Sequence, residues 1–150
     1  MSKLYSYKKE DKLKSRKQTQ FLFAKGLSMN AFPIKLIYTI EAYATLSTIL
    51  PNPYLDLQQI QEKGQLQTGV GAPSRTFRKA VMRNRVKRLL REGYRLEKPA
   101  FITSTALQGK RVNLFFLYTD ATVLSQVEIQ EKISQLLKRL SEKLNATSNK

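Results

Sequence analysis

The sequence predicts an α+β fold, a small mixed sheet packed with helices. Three observations carry that prediction. Two stretches, Ile34 to Ile40 and Val112 to Tyr118, alternate at the two-residue period of a strand. Two others, Ala80 to Arg95 and the stretch after Ser125, repeat apolar residues at helical spacing. The chain has 150 residues, 41% of them hydrophobic, which suits one domain with one ordinary core and leaves no room for two.

Taken in order, Ser15-Arg16-Lys17-Gln18 has the form of a capping box, opening a short helix that Gly26 closes and that Phe21, Leu22 and Phe23 supply with apolar material. From Pro33 a strand begins, with Ile34, Leu36, Tyr38 and Ile40 on one face and Lys35, Ile37 and Thr39 on the other. Residues 41–64, broken by Pro51-Asn52-Pro53, form an extended connection. Gln65 to Ala72 gives a second strand whose Gly69 and Gly71 suggest a bulge or the close approach of another backbone. After Pro73 comes a basic loop, then a helix from about Ala80 to Arg95. Val112, Leu114, Phe116 and Tyr118 mark a strand apolar on both faces, hence inside the sheet. Ser125-Gln126-Val127-Glu128 is a second capping box, and Ile129, Ile133, Leu137, Leu140 and Leu144 stripe the helix it opens. Residues 1–11 and 145–150 are expected to be flexible ends of a single domain spanning 1–150.

Charge narrows the partners. Lys and Arg number 27 against 11 Asp and Glu, a formal net charge of +16. Such an excess favours a polyanionic partner. It is unevenly spread: residues 1–17 carry seven basic and two acidic side chains, and residues 120–144 carry four of each. Residues 75–98 carry ten basic and two acidic, net +8, so half the excess lies in 24 residues. The chain has no Cys and no His. That removes disulfides, thiolate nucleophiles and Cys-based zinc sites, together with the commonest general base at neutral pH. The longest apolar runs are strand-sized, well short of the roughly 20 residues of a membrane helix. Residues 1–17 carry charge throughout, so neither a membrane span nor a secretory signal is expected, and the expected location is cytoplasmic.

Wound at about 100° per residue, Met82, Val86, Leu89, Leu90 and Gly93 gather into one arc, which Tyr94 borders. The remainder is Arg, Lys or Asn apart from Glu92. Arg83, Lys87, Arg91 and Arg95 follow at i, i+4 spacing, where like charges cost about 0.2–0.5 kcal/mol per pair. A solvated face would relieve that cost with interspersed Glu. A nearly unmixed cationic face makes physical sense against sugar-phosphate, which the planar fork of Arg grips bidentately, while Asn84 can reach a base edge or ribose.

The segment Lys79-Ala80-Val81-Met82-Arg83-Asn84-Arg85-Val86-Lys87-Arg88-Leu89-Leu90-Arg91-Glu92-Gly93-Tyr94-Arg95 closely resembles the RNR signature of the bacterial ribonuclease P protein component, and a weaker resemblance runs from about Asp11 to Leu144. The resemblance implies the order αβββαβα, shared with a domain of a small-subunit ribosomal protein. It also implies a left-handed βαβ crossover, against the general preference for right-handed ones. It implies a non-catalytic protein subunit: a catalytic RNA, with Mg²⁺ held mainly by that RNA, hydrolyses the phosphodiester joining the 5′ leader to mature tRNA. The partners implied are that RNA and precursor tRNA, with one protein monomer per RNA. By position, Arg75, Arg78, Lys79, Arg83, Asn84, Arg85, Lys87, Arg88, Arg91 and Arg95 are the implied RNA contacts. Phe23 and Tyr38 are the implied aromatics of a leader-binding cleft between the sheet and the first helix. The sequence departs from the family where a second aromatic often stands four residues before Phe23: Thr19 is there, and Phe21 two positions on. Ser74-Arg75-Thr76 replaces the usual Ser-Lys-Lys, and Arg78 the usual Gly. The alternative reading is a ribosomal-type structural RNA-binding protein with no processing role.

Overall fold

In a computed structural model, residues 16–42, 65–105, 107 and 109–148 are described. Seven elements follow one another: α1 (Arg16–Lys25), β1 (Leu27–Ala31), β2 (Ile34–Ala42), β3 (Gln65–Gly71), α2 (Ala80–Ser104), β4 (Lys110–Tyr118) and α3 (Gln126–Ser148). This is the expected αβββαβα order. The four strands form one mixed sheet in the order β1-β2-β4-β3. β1 and β2 are antiparallel, β2 and β4 pair antiparallel over nine rungs from Ile34↔Tyr118 to Ala42↔Lys110, and β3 runs parallel to β4. A parallel pair needs a long crossover, and α2 provides it.

β4 is central, as its two apolar faces require. On one face Ile34, Leu36 and Tyr38 of β2 and Val112, Leu114, Phe116 and Tyr118 of β4 are buried. They join Val86, Leu90, Tyr94 and Phe101 of α2 and Ile129, Ile133, Leu136, Leu137, Leu140 and Leu144 of α3 in one apolar cluster. Ser125 caps α3 as its sequence predicts: its hydroxyl accepts from the Glu128 amide at 3.3 Å and donates to the Glu128 carboxylate at 3.0 Å. The opposite face takes α1, whose Leu22 is fully buried. The amide of Gly26 donates to the Leu22 carbonyl at 2.8 Å and ends the helix.

Several expectations need correction. β1 is a strand although Leu27-Ser28-Met29-Asn30-Ala31 holds no β-branched or aromatic residue. It forms because Met29 and Ala31 fill the core beside β2 across a two-residue turn with a cis Phe32–Pro33 bond. β2 includes Glu41 and Ala42, which the sequence assigns to the connection; residues 43–64 of that connection lie outside the described residues, as do Ser15 and the expected flexible end at 1–11. α2 continues nine residues beyond Arg95, through Pro99. The helical bond that Pro99 cannot make is offset by contacts with α3. Lys98 and Phe101 are buried, Gln130 donates to the Glu97 carboxylate at 2.9 Å, and Thr105 donates to Ser141 at 2.8 Å. α3 likewise runs to Ser148, with the Asn145 amide donating to the Ser104 carbonyl at 2.9 Å, so residues 145–148 are helical.

Candidate nucleic-acid interface

The loop between β3 and α2 turns on Pro73, whose carbonyl accepts from the amides of Thr76 and Phe77 at 3.1 and 2.9 Å. Phe77 is buried with its ring 5.8 Å from that of Tyr118, which anchors the loop to the sheet. Arg75, Arg78 and Lys79 around it remain exposed. α2 starts at Ala80 with no side-chain cap and no acidic residue in its first turn. Its free amides and the positive end of its dipole therefore add to the basic side chains.

Helix periodicity then sorts the residues. Val86, Leu90, Gly93 and Tyr94 face the core. Asn84, Arg85, Arg88 and Arg91 point to solvent, and Lys87 is half-buried at the border. Among the described residues no carboxylate pairs with Arg75, Arg78, Arg85, Arg88 or Arg91. Two of the expected contacts are engaged within the protein. The Arg83 guanidinium folds back, donating from Nη1 to the carbonyls of Phe77 and Arg78 at 2.8 and 2.9 Å, and so fixes the loop. Arg95 donates from Nε and Nη2 to the two carboxylate oxygens of Glu92 at 3.0 and 2.6 Å. Those bonds hold the Glu92 carboxyl below the usual carboxylate range. The exposed cations are thus Arg75, Arg78, Lys79, Arg85, Arg88 and Arg91, with Asn84 exposed among them; of the i, i+4 row that the sequence suggested, only Arg91 is both exposed and without a bond inside the protein.

The two candidate cleft aromatics lie on opposite faces of the sheet. Phe23 is half-exposed, edge-on to Phe115 with ring centroids 4.9 Å apart. Tyr38 is 1% exposed in the core, where its hydroxyl accepts from Lys143 Nζ at 3.1 Å. The alternation of β2 sends its ring beneath α3, on the side of the sheet away from Phe23 and Phe115. Phe115 is the aromatic that the sequence reading missed, although the signal was there: Phe115 and Phe116 are consecutive in β4 and must face opposite ways. Phe115 also explains Gly71, where a Cβ would lie 2.7 Å from its ring. The close approach expected at that glycine comes from a side chain.

On the face that Phe115 shares, adjacent rungs bring together Thr39, Asn113 and Gln67, then Glu41 and Arg111. The Asn113 amide donates to Thr39 Oγ1 at 3.3 Å, and Arg111 Nη1 stands 3.8 Å from Glu41. Burial lowers the pKa of the Arg111 guanidinium, with Glu41 opposing the shift. Among the described residues no three His, Cys, Asp or Glu side chains gather to hold a metal, and no helix is long and apolar enough to cross a membrane.

Residues 7–141 match the family model described as Ribonuclease P. The chain belongs to the bacterial ribonuclease P protein family. Two curated relatives named ribonuclease P protein component, from two strains of Porphyromonas gingivalis, are 30% and 29% identical over 110 residues. The match takes in 72% of this chain and 65% of each relative, so it spans just under two thirds of their length. Among solved ribonuclease P proteins, that of Staphylococcus aureus superposes with a TM-score of 0.56 at 18% identity, covering 87% of this chain and 94% of that one. The Thermotoga maritima protein gives 0.55 at 17% identity, covering 85% and 96%. At that identity the likeness between this ribonuclease P family member and the two solved proteins is one of fold.

Proposed function

We propose that this chain is the protein subunit of a ribonuclease P ribonucleoprotein, assisting endonucleolytic removal of the 5′ leader from precursor tRNA. The observation that carries this reading is the exposed surface formed by Arg75, Arg78, Lys79, Asn84, Arg85, Arg88 and Arg91 at the open end of α2, free of described carboxylates and backed by a packed core. Six cationic side chains around the start of this helix can neutralise several phosphates, with Asn84 adding a neutral hydrogen-bonding group, and the uncapped helix start accepts another anion. This surface docks on the catalytic RNA. The leader lies on the sheet face beside α1, where Phe23 and Phe115 offer ring surface.

Bond breaking belongs to the RNA in this proposal. The chain has no His and no Cys, and its described carboxylates do not cluster, so Mg²⁺ is assigned to the RNA and not to a protein site. The complex is one protein monomer with one RNA, in the cytoplasm. Reconstitution tests the proposal. Adding the protein to a bacterial ribonuclease P RNA at low Mg²⁺ accelerates precursor cleavage, and the protein alone cleaves nothing. Equal rates with and without protein would refute it, as would cleavage by the protein alone.

A further inference from the structure

The turn between β1 and β2 lies at the same end of the sheet as the basic loop before α2. Ile34 opens β2 opposite Tyr118, and Gly71 closes β3 opposite Leu117, so the two connections leave from neighbouring rungs two strand spacings apart, about 10 Å. Two consecutive residues, Tyr118 and Thr119, hold both. Thr119 donates its amide and its hydroxyl to the Pro33 carbonyl, each at 2.8 Å, while the Tyr118 ring packs on Phe77 of the basic loop. Phe32 at the tip of the turn is 69% exposed, the most exposed aromatic side chain among the described residues. It stands clear of α1, whose Phe21, Lys25 and terminal Gly26 meet the sheet between Ile37 and Glu41.

Cations flank this turn. Arg139 of α3 is exposed and donates from Nη1 to the Asn30 carbonyl at 2.8 Å, and Lys35 stands across the hairpin from Asn30. Among the described residues no carboxylate pairs with either cation. The acidic side chains that follow β4, Asp120 and Glu128, accept instead from the Thr122 amide and the Ser125 hydroxyl. A partner protein would want a wider apolar patch than one ring set among Asn30, Lys35 and Thr119. An unpaired nucleobase needs only the ring face, with cations for the phosphates on either side of it. We propose that Phe32 stacks on an unpaired base of the ribonuclease P RNA, with Arg139 and Lys35 on the adjoining phosphates, an inference that rests on the RNA-docking reading above. The RNA then crosses this end of the sheet from the basic loop to the hairpin tip, and the docking surface is broader than the helix face alone.

The test uses the full chain and a bacterial ribonuclease P RNA, with affinity read by filter binding across a salt series. Phe32→Ala weakens binding about tenfold, the loss expected when one stacked base gives up its aromatic, and leaves the slope of log affinity against log salt unchanged. Phe32→Tyr binds as the parent does and Phe32→Leu as weakly as the alanine variant, because stacking needs a flat ring. Arg139→Ala lowers the slope by about one. Phe32 is exposed, so thermal unfolding of its variants matches the parent. A melting point that falls in step with affinity overturns the proposal, as does a leucine variant that binds like the parent. Arg88→Ala on α2 is the control. If it weakens binding while Phe32→Ala does not, the stacking site is overturned and the RNA-docking reading stands. If the unaltered chain binds no ribonuclease P RNA, both fall together.

Discussion

Phe23 of α1 meets Phe115 of β4 edge-on, the ring planes inclined at 63°, on the side of the sheet away from the core. Tyr38 lies on the other side, under α3, with the Lys143 ammonium 5.8 Å from its ring centroid. Phe115→Ala should therefore lower precursor affinity in the reconstituted complex with little loss of stability. Tyr38→Ala should cost about 3–5 kcal/mol of folding free energy, as for any large buried aromatic. Thermal unfolding set beside precursor binding separates the two. Loss of leader affinity in a fully stable Tyr38→Ala protein would reverse the assignment.

Arg88 and Arg91 are exposed and Arg83 is tied to the loop, so these three arginines should behave differently. Arg88→Ala and Arg91→Ala each weaken binding to the ribonuclease P RNA and lower the slope of log affinity against log salt by about one, with stability unchanged to within about 0.5 kcal/mol. Arg83→Ala releases the carbonyls of Phe77 and Arg78 and costs stability as well. Filter binding between 50 and 200 mM salt, where six phosphate contacts give about three decades of loss, makes the comparison.

Tyr118 supplies the pH dependence. Its hydroxyl donates to the Thr122 carbonyl at 2.6 Å and accepts from the Leu124 amide at 3.0 Å. Burial raises its pKa above the usual 10.0, and the carboxylates of Asp120 and Glu128 raise it further against the Leu124 bond. A folded value above the unfolded one means that the neutral phenol is the form the fold favours. Its contribution is complete below pH 10 and is lost as pH rises through the folded value. Tyr118→Phe should cost about 1–3 kcal/mol at neutral pH. It should also flatten the alkaline limb of a stability-against-pH curve measured in urea.

Gly26 tests the junction of α1 and β1. A Cβ there would collide with the Leu22 carbonyl oxygen and lie 2.9 Å from Ile37 Cγ2. The collision is with backbone, so Gly26→Ala should open the last turn of α1 and cost about 1–3 kcal/mol, as overpacking does. Urea unfolding of the variant measures it, and a protein as stable as the parent would show that the turn yields freely.

The strand periods, the apolar arc of α2 and the Ser125 cap were legible because each follows from local pattern. The longer α2 was not, since Pro99 reads locally as a stop and only the contacts of Lys98 and Phe101 with the rest of the core carry the helix through it. β1 lacks a local signal altogether and is made by its neighbours. Arg83 shows the limit for the site itself: sequence gives its charge and its turn of the helix, but not the two carbonyls that claim its guanidinium. The face that Tyr38 occupies was not legible either, because a likeness to a motif transfers a residue type more readily than the side of the sheet it takes.

α2 is one rod about 37 Å long, at 1.5 Å per residue, and its two ends meet different surroundings. The distal turns are clamped to α3, whereas the proximal turns crowd Arg85, Arg88 and Arg91 together with no described counter-charge. The isolated protein therefore carries an unrelieved electrostatic load at one end of the helix that joins β3 to β4. Any polyanion that settles there removes it, so RNA should act on this chain as a folding ligand, lifting the melting point of the entire sheet with its occupancy.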